Sequence, residues 1–194
     1  MRTYISLIFS VQLLMAQSGK PTVAILDFEG RGINILEAQT LTDRYGSEMN
    51  KTDRVRLIER QSMNEVLEEQ GFEAAGCVSD ECAAEVGAML GVQFMISGAI
   101  GKLGDTFTID AKMVSVESGA SVENRNVTYI GKVDGLVTEI ELLAWDIMNL
   151  EAPEALKEKK RLGAEAFFEA AAAQKTKMGA LIRSTVLPLS LIHI

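Results

Sequence analysis

The sequence is poor in histidine, cysteine and basic charge, and each shortage excludes a class of chemistry. Its one histidine, His193, is the next-to-last of 194 residues. A Ser-His-Asp triad, a Cys-His pair or a histidine-ligated zinc site therefore cannot be built inside a domain. With 19 basic against 27 acidic residues, the chain lacks the clustered Lys and Arg that nucleic acids require. We expect no catalytic residue, no metal, no cofactor and no nucleic-acid partner.

The N-terminus resembles a secretory signal peptide over residues 1–16. Arg2 supplies a positive charge, residues 4–15 form an apolar run, and Ala16 is a small residue suited to cleavage. The alternative is a buried N-terminal strand, because the run is rich in β-forming residues. No cysteine follows the run, so we expect a mature N-terminus without a lipid. Export favours disulfide formation between the two cysteines.

Both cysteines, Cys77 and Cys82, lie at the start of one predicted helix. Ser79 is a good N-cap, Asp80 suits the first turn, and Gly91 can end the helix in the left-handed conformation. A disulfide would close a very short loop and stabilise the fold by roughly 2 kcal/mol, provided that the two α-carbons lie within about 7 Å. The sequence thus favours a structural disulfide.

Two alternatives to a structural disulfide stay open, a redox-active pair and two reduced thiols. A helix N-terminus stabilises a thiolate, which favours redox chemistry. The acidic neighbours Asp80 and Glu81 disfavour a second negative charge there, and the C-x4-C spacing differs from the C-x2-C of thioredoxin-type sites.

The first half of the chain alternates between strand and helix patterns. Residues 22–28 form an apolar run typical of a buried central strand, and residues 55–58 predict a second, short strand. Three helices are predicted, with N-caps at Asn34, Ser62 and Ser79. The first two N-caps are each followed three residues later by glutamate, the pattern of a capping box.

The second half predicts a three-stranded meander and one more helix. Residues 92–100, 106–116 and 121–130 have strand patterns and are separated by short turns that contain glycine. Residues 134–150 return to helical spacing, with an apolar stripe of Leu136, Ile140, Leu143, Ile147 and Leu150. The predicted fold is α/β, a mixed sheet in the order β-α-β-α-α-β-β-β-α with helices packed on it.

A glycine-bearing segment after the first strand invites a nucleotide-binding interpretation. Glu29-Gly30-Arg31-Gly32 is similar to a dinucleotide-binding turn, but the third glycine would fall at Ile35, and no P-loop lysine is present. The segment is therefore predicted to be a turn from strand to helix.

Four segments together carry a family resemblance: V-A-I-L-D-F-E-G-R-G-I, R-L-I-E-R-Q-S-M-N-E-V-L-E-E-Q-G-F, G-C-V-S-D-E-C-A-A-E-V-G-A-M-L-G-V and T-I-D-A-K-M-V-S-V-E-S-G. They resemble the family of the curli secretion component, which is similar in fold to the lipoprotein activators of penicillin-binding proteins and to the N-terminal domain of TolB. The resemblance covers residues 23–150. It implies a non-enzymatic periplasmic protein of a bacterial envelope that acts by binding and assembly.

The resemblance does not extend to the features that a curli-type pore needs. Such a pore requires a lipid anchor and two long hairpins that enter the membrane, with about 9 to 11 residues in each strand. The predicted turns are too short for such hairpins. We therefore expect a soluble module that binds an envelope partner, a secretion or peptidoglycan-synthesis component, or that forms a homo-oligomer. An unpaired strand edge would suit such binding.

The sequence changes character after residue 150. Residues 151–177 are charged, alanine-rich and typical of a solvated helix or a linker. Residues 178–194 are apolar but shorter than the roughly 20 residues that span a bilayer. Their opening resembles the lead-in to a small membrane domain and the closing L-S-L-I-H-I resembles translated adapter sequence, so we expect a longer native chain with membrane attachment at its C-terminus. The predicted α/β domain is 20–150.

For a functional site the sequence supports only Cys77 and Cys82, as a disulfide. A redox protein that uses this pair is the alternative function. Other polar residues adjoin predicted strands, where ion pairs or turn caps explain them: Asp27, Glu29, Arg31, Glu59 and Arg60.

Overall fold

The computed structural model describes residues 19–71, 77 and 79–185. The chain divides into an α/β unit that ends at Ala152 and a helical unit that begins at Pro153. The predicted signal peptide and residues 186–194 of the apolar tail lie outside the described residues. Within those residues, no helix combines the length and the apolar content needed to cross a bilayer.

The α/β unit is built on one mixed sheet. Its order is β3-β1-β4-β5-β6, with β2 also paired to β4. β4 pairs in parallel with both β1 and β2, and β1 pairs in parallel with β3. β4, β5 and β6 form an antiparallel meander. The strands are β1 Thr22–Ile25, β2 Glu29–Arg31, β3 Arg56–Leu57, β4 Phe94–Leu103, β5 Thr106–Ser115 and β6 Ser121–Ile130. The predicted mixed α/β fold and its meander are confirmed.

Five helices are described, α1 Ile35–Lys51, α2 Arg60–Glu69, α3 Asp80–Leu90, α4 Val133–Asp146 and α5 Glu154–Thr185. The predicted capping box of α1 is present, because Asn34 Oδ1 accepts a hydrogen bond from Glu37 N at 2.8 Å and the Glu37 carboxylate accepts one from Asn34 N. Gly91 ends α3 at φ 64°, in the left-handed conformation.

The predicted capping box at Ser62 is wrong, because the N-cap of α2 lies three residues earlier. Glu59 is the N-cap and makes no side-chain cap hydrogen bond. Tertiary contacts fix this start instead. Ile58 N donates to Val23 O at 2.9 Å, which keeps the chain extended up to that residue, and Arg60 forms ion pairs with Asp27 and Asp43.

The turn predicted at residues 29–32 is also wrong, because its first three residues form β2. Glu29, Gly30 and Arg31 pair in parallel with residues 99–101 of β4, and the turn begins at Gly32, where φ is 85°. Glycine suits position 30 because a Cβ there would lie 3.3 Å from the Ala38 Cβ of α1. β2 thus continues the line of β1 along the same neighbouring strand.

The core has one cluster on each face of the sheet. Helices α1 and α4 cover one face, where the fully buried side chains include Tyr45, Ile100, Phe107, Ile109, Leu136, Ile140 and Leu143. Helices α2 and α3 cover part of the other face, where the buried side chains of helices and sheet include Leu26, Met63, Leu67, Val86, Met95 and Val114. Of the stripe predicted for the last helix of the domain, four side chains are buried, and Leu150 is half-buried.

The side chain of Met89 on α3 is 37% exposed. The helix approaches the sheet at Gly87, where an added Cβ would lie 2.3 Å from Val116 Cγ2. This close approach turns Ala83, Val86 and Gly87 inward. Met89 consequently faces outward.

The helical unit consists of α5. Its 32 residues correspond to about 48 Å at 1.5 Å per residue. Arg161 pairs with Glu158 and Glu165, one turn away on either side, and Leu162, Phe168 and Met178 are exposed. The charged, alanine-rich segment is thus a helix with apolar side chains on its surface.

Candidate functional site

No helix among the described residues covers one half of one sheet face. Side chains alternate along a strand, so Met95, Ser97 and Ala99 of β4 lie on the same face. α2 and α3 cover Met95, whereas the polar side chains further along this face are exposed, among them Thr108, Asp110, Asn124, Asn126 and Thr128. A hydrophilic half-face is thereby open to solvent.

A groove of about 290 Å³ lies on this half-face. Ser97 and Ala99 form its floor, and small side chains there leave room between the taller residues of the flanking strands. We call it the sheet groove, and its lining residues are Glu29, Arg31, Cys77, Ser97, Gly98, Ala99, Asp110, Ala111, Lys112 and Asn124.

Charges of both signs line the sheet groove. On β2, Arg31 Nη2 lies 2.6 Å from Glu29 Oε2. The hydrogen bond from Arg31 lowers the pKa of Glu29, and the same bond, with a smaller contribution from Asp110, raises the pKa of Arg31. On β5, Lys112 forms an ion pair with Asp80, in the first turn of α3. Asp110 forms no ion pair with any described residue.

The hydroxyl of Ser97 is the unusual group on the groove floor. The residue is only 4% exposed, and its Oγ has no hydrogen-bond partner within the part of the protein that the structure describes. Buried hydroxyls are normally hydrogen-bonded. Ser97 therefore presents an unused donor and acceptor toward the groove.

Cys77 lines the sheet groove, and a disulfide bond joins it to Cys82. Their sulfur atoms lie 2.10 Å apart and their α-carbons 5.6 Å apart. Ser79 Oγ accepts a hydrogen bond from Cys82 N at 3.2 Å, which caps α3 at the disulfide. Over the described residues, no group of histidine, cysteine and carboxylate side chains is arranged to hold a metal ion.

The other polar residues singled out in the sequence do not form one site. Asp27 and Arg60 pair with each other, and Glu59 and Arg60 line a different cleft, beside α1. Only Glu29 and Arg31 reach the sheet groove. Ion pairs and a cap position thus account for Asp27, Glu59 and Arg60.

The sequence pointed to none of Ser97, Asp110, Lys112 and Asn124. For Asp110, Lys112 and Asn124 the sequence signal is alternation, T-I-D-A-K on β5 and N-R-N-V-T on β6, which places polar residues on one face. Ser97 on β4 lies outside both runs. That alternation does not reveal where α2 and α3 stop covering the face.

The second candidate surface is the outer edge of β6, the last strand of the sheet. Gly131 N donates to Asp105 O at 2.9 Å, and hydrogen-bonded pairs alternate along an antiparallel ladder. The backbone N–H and C=O groups that point away from β5 therefore belong to Asn124, Asn126, Thr128 and Ile130. In the described part of the chain no strand pairs with them.

Several solved structures match this chain at low sequence identity. The LpoB C-terminal domain from Salmonella enterica matches with a TM-score of 0.50 at 12% identity, over 62% of this chain and 91% of that one. Lipoprotein GNA1162 from Neisseria meningitidis matches with a TM-score of 0.50 at 10% identity, over 78% and 96%. TolB from Acinetobacter baumannii gives 0.44 at 11% identity, over 68% and 29%.

Sequence comparison gives the family. No curated protein shows significant sequence similarity to the chain. The family model for the curli production assembly/transport component CsgG matches residues 5–108, more than half of the 194 residues. The fold and this match together confirm the resemblance seen in the sequence, and the chain belongs to the CsgG family.

Proposed function

We propose that this protein is a non-enzymatic, periplasmic binding and assembly module of the bacterial cell envelope. Its partner is a secretion or peptidoglycan-synthesis component that adds an extended segment to the outer edge of β6. Membership of a family described by production, assembly and transport supports the assembly role. The free edge of β6 is the observation that carries the binding mode.

The edge of β6 has the length and regularity that strand addition needs. The strand has ten residues, and its register with β5 is regular from Glu123 to Ile130, with a shift only near its start. Four residues present outward backbone groups. The carbonyl of Asn124 accepts a hydrogen bond from Arg125 Nη1 at 2.9 Å, and the row from Asn126 to Ile130 is a template for another strand. Val122 and Ile130, near the two ends of β6, have exposed apolar side chains. They would contact apolar side chains of the added partner strand.

The module does not form a pore by itself in this proposal. The turn between β4 and β5 consists of Gly104 and Asp105, and β5 and β6 are joined by residues 116–120. Neither connection has room for hairpin strands of about 9 to 11 residues. The protein would therefore serve a partner that does the transport or synthesis.

An experiment on Asn126 tests the proposal. Asn126→Pro removes an outward N–H and leaves the ladder to β5 intact, because proline is tolerated on edge strands when its nitrogen faces outward. Asn126→Ala, the matched control, keeps the N–H. We expect full-length tagged protein to recover one envelope protein in the wild type and in Asn126→Ala, and about tenfold less of it in Asn126→Pro.

Two results would count against the proposal. Equal recovery by Asn126→Pro, with its melting temperature unchanged, would show that the edge is not used. Recovery of only further copies of this chain would make the edge a self-association surface, which is the homo-oligomer expected as an alternative.

The cysteine pair is proposed as a structural disulfide and not as a redox centre. Cys77 borders the sheet groove, which is the observation that favours thiol–disulfide chemistry as the second function. Asp80 stands between the two cysteines in sequence, and its ion pair with Lys112 ties the first turn of α3 to β5. The disulfide and this ion pair would together hold the start of α3 on the sheet.

A further inference from the structure

We propose that the sheet groove binds a small zwitterionic ligand of the amino-acid or short-peptide class, one that carries both an ammonium and a carboxylate group. This site differs from the β6 edge, because the groove uses side chains of β2, β4 and β5 and the Asn124 side chain of β6, whereas the edge uses backbone groups of β6. Either proposal can fail without the other.

The buried hydroxyl of Ser97 is the first observation. An unpartnered buried hydroxyl is unfavourable, and this one lies on the groove floor with no described protein partner. Ala99 beside it is too small to fill the space above. A rotation of the Ser97 side chain would bring its hydroxyl to the groove, where a polar ligand would supply the missing hydrogen bond.

The charges on the two sides of the floor are the second observation. Arg31 on β2, paired with Glu29, and Lys112 on β5, paired with Asp80, supply cations. Glu29 and Asp110 supply carboxylates. A purely anionic ligand would meet both carboxylates, and a purely cationic ligand would meet both cations. A zwitterion can place its ammonium group at Asp110, which has no ion pair among the described residues, and its carboxylate at Arg31 or Lys112.

The size of the groove limits the ligand. Ligand pockets occupy roughly 300 to 1,000 Å³, and the groove, at about 290 Å³, lies at the lower end of that range. The polar lining offers little apolar surface for a large side chain. A single amino acid or a dipeptide with small side chains therefore fits best.

The test is a titration of the full-length protein with alanyl-alanine, followed by calorimetry and by amide chemical shifts. We expect saturable binding that shifts the amide signals of Ser97 and Asp110. N-acetyl-alanyl-alanine lacks the ammonium group and alanyl-alanine amide lacks the carboxylate, so each should bind at least about tenfold more weakly, since close charge pairs at a binding site contribute at least about 1.4 kcal/mol.

Variants locate the binding. Asp110→Asn and Ser97→Ala should each weaken alanyl-alanine binding, whereas Thr128→Ala, on the same open half-face but outside the groove, should not. Asn126→Pro should also bind normally, which separates this site from the β6 edge. Absence of saturable binding, equal binding of the capped dipeptides, or full binding by a folded Asp110→Asn variant would each overturn the proposal.

Discussion

Two hydroxyl groups are buried without a protein partner among the described residues, and they differ in surroundings. Ser97 lines a polar groove, where we propose that a ligand binds. Tyr45, a residue of α1, is fully buried in the apolar cluster that α1 and α4 cover. Its ring centroid lies 5.2 Å from that of Phe28. The Ser97 hydroxyl therefore suggests function, whereas that of Tyr45 is only a stability defect.

Tyr45→Phe is expected to raise the free energy of unfolding by about 1 kcal/mol, because it removes an unpaired buried hydroxyl and keeps the ring. Burial raises the pKa of Tyr45 in the folded state. Above the pKa of about 10 that tyrosine has in the unfolded chain, the unfolded protein therefore loses this proton while the folded protein keeps it. Wild-type stability should then fall as pH rises above about 10, and Tyr45→Phe should lose less. Urea unfolding at pH 8 and pH 11 measures both effects. A loss of stability in Tyr45→Phe at pH 8 would reveal a hydrogen bond to this hydroxyl.

The disulfide is a second feature at the residue scale. Replacing both cysteines by serine should lower the free energy of unfolding by about 2 kcal/mol, the value expected for so short a loop. The melting temperature should fall by roughly 4 to 8 °C for a chain of this size. Partner recovery should persist at a temperature where the variant is folded. Loss of a measurable thiol–disulfide exchange activity in this variant would instead support the redox function.

The contact between α3 and the sheet depends on Gly87. Gly87→Ala should destabilise the protein by about 1 to 3 kcal/mol, because the added methyl group would overlap Val116 and Met95 and this overlap outweighs the gain in helix propensity. Gly46→Ala on α1 is the matched control. Its nearest neighbour is Ile25 Cδ1 at 3.5 Å, so it should stabilise by about 0.5 to 1 kcal/mol. Thermal unfolding of both variants compares them, and equal effects would contradict this account of α3 packing.

The elements that are predictable from sequence are those with long, regular patterns. Strands β4, β5 and β6 each have ten residues. β4 is a run of apolar and small residues, β5 and β6 alternate, and short turns that contain glycine separate the three, so the meander is predictable. β2 is not, since three residues that include a glycine carry too little pattern. The start of α2 is also missed, because its ion pairs join residues distant in sequence.

The groove could not be predicted for a similar reason. The alternation on β5 and β6 identifies a polar face, but α2 and α3 cover only part of it. Where that cover ends depends on how closely α3 approaches at Gly87 and on the tie between Asp80 and Lys112. Both depend on tertiary packing.

At the scale of the whole molecule, the chain divides into an α/β unit and a helical unit. We propose that residues 20–150 are the independently folding domain, and that the apolar residues 178–194 begin a membrane attachment. A chain that ends at Ala152 should then unfold in one cooperative transition with nearly the melting temperature of the longer chain. Calorimetry of the two chains decides this. A broad transition would mean that the helical unit is needed for folding.

The central claim is that β6 is the surface on which an envelope partner adds a strand. The most direct test places a photo-crosslinking amino acid at Thr128 of the full-length protein in cells, with Asn64 on the exposed side of α2 as the control position. The account predicts an adduct with one secretion or peptidoglycan-synthesis protein from Thr128, none from Asn64, and loss of the Thr128 adduct when Asn126→Pro is added. Adducts of equal yield from both positions, or a Thr128 adduct that survives Asn126→Pro, would contradict it.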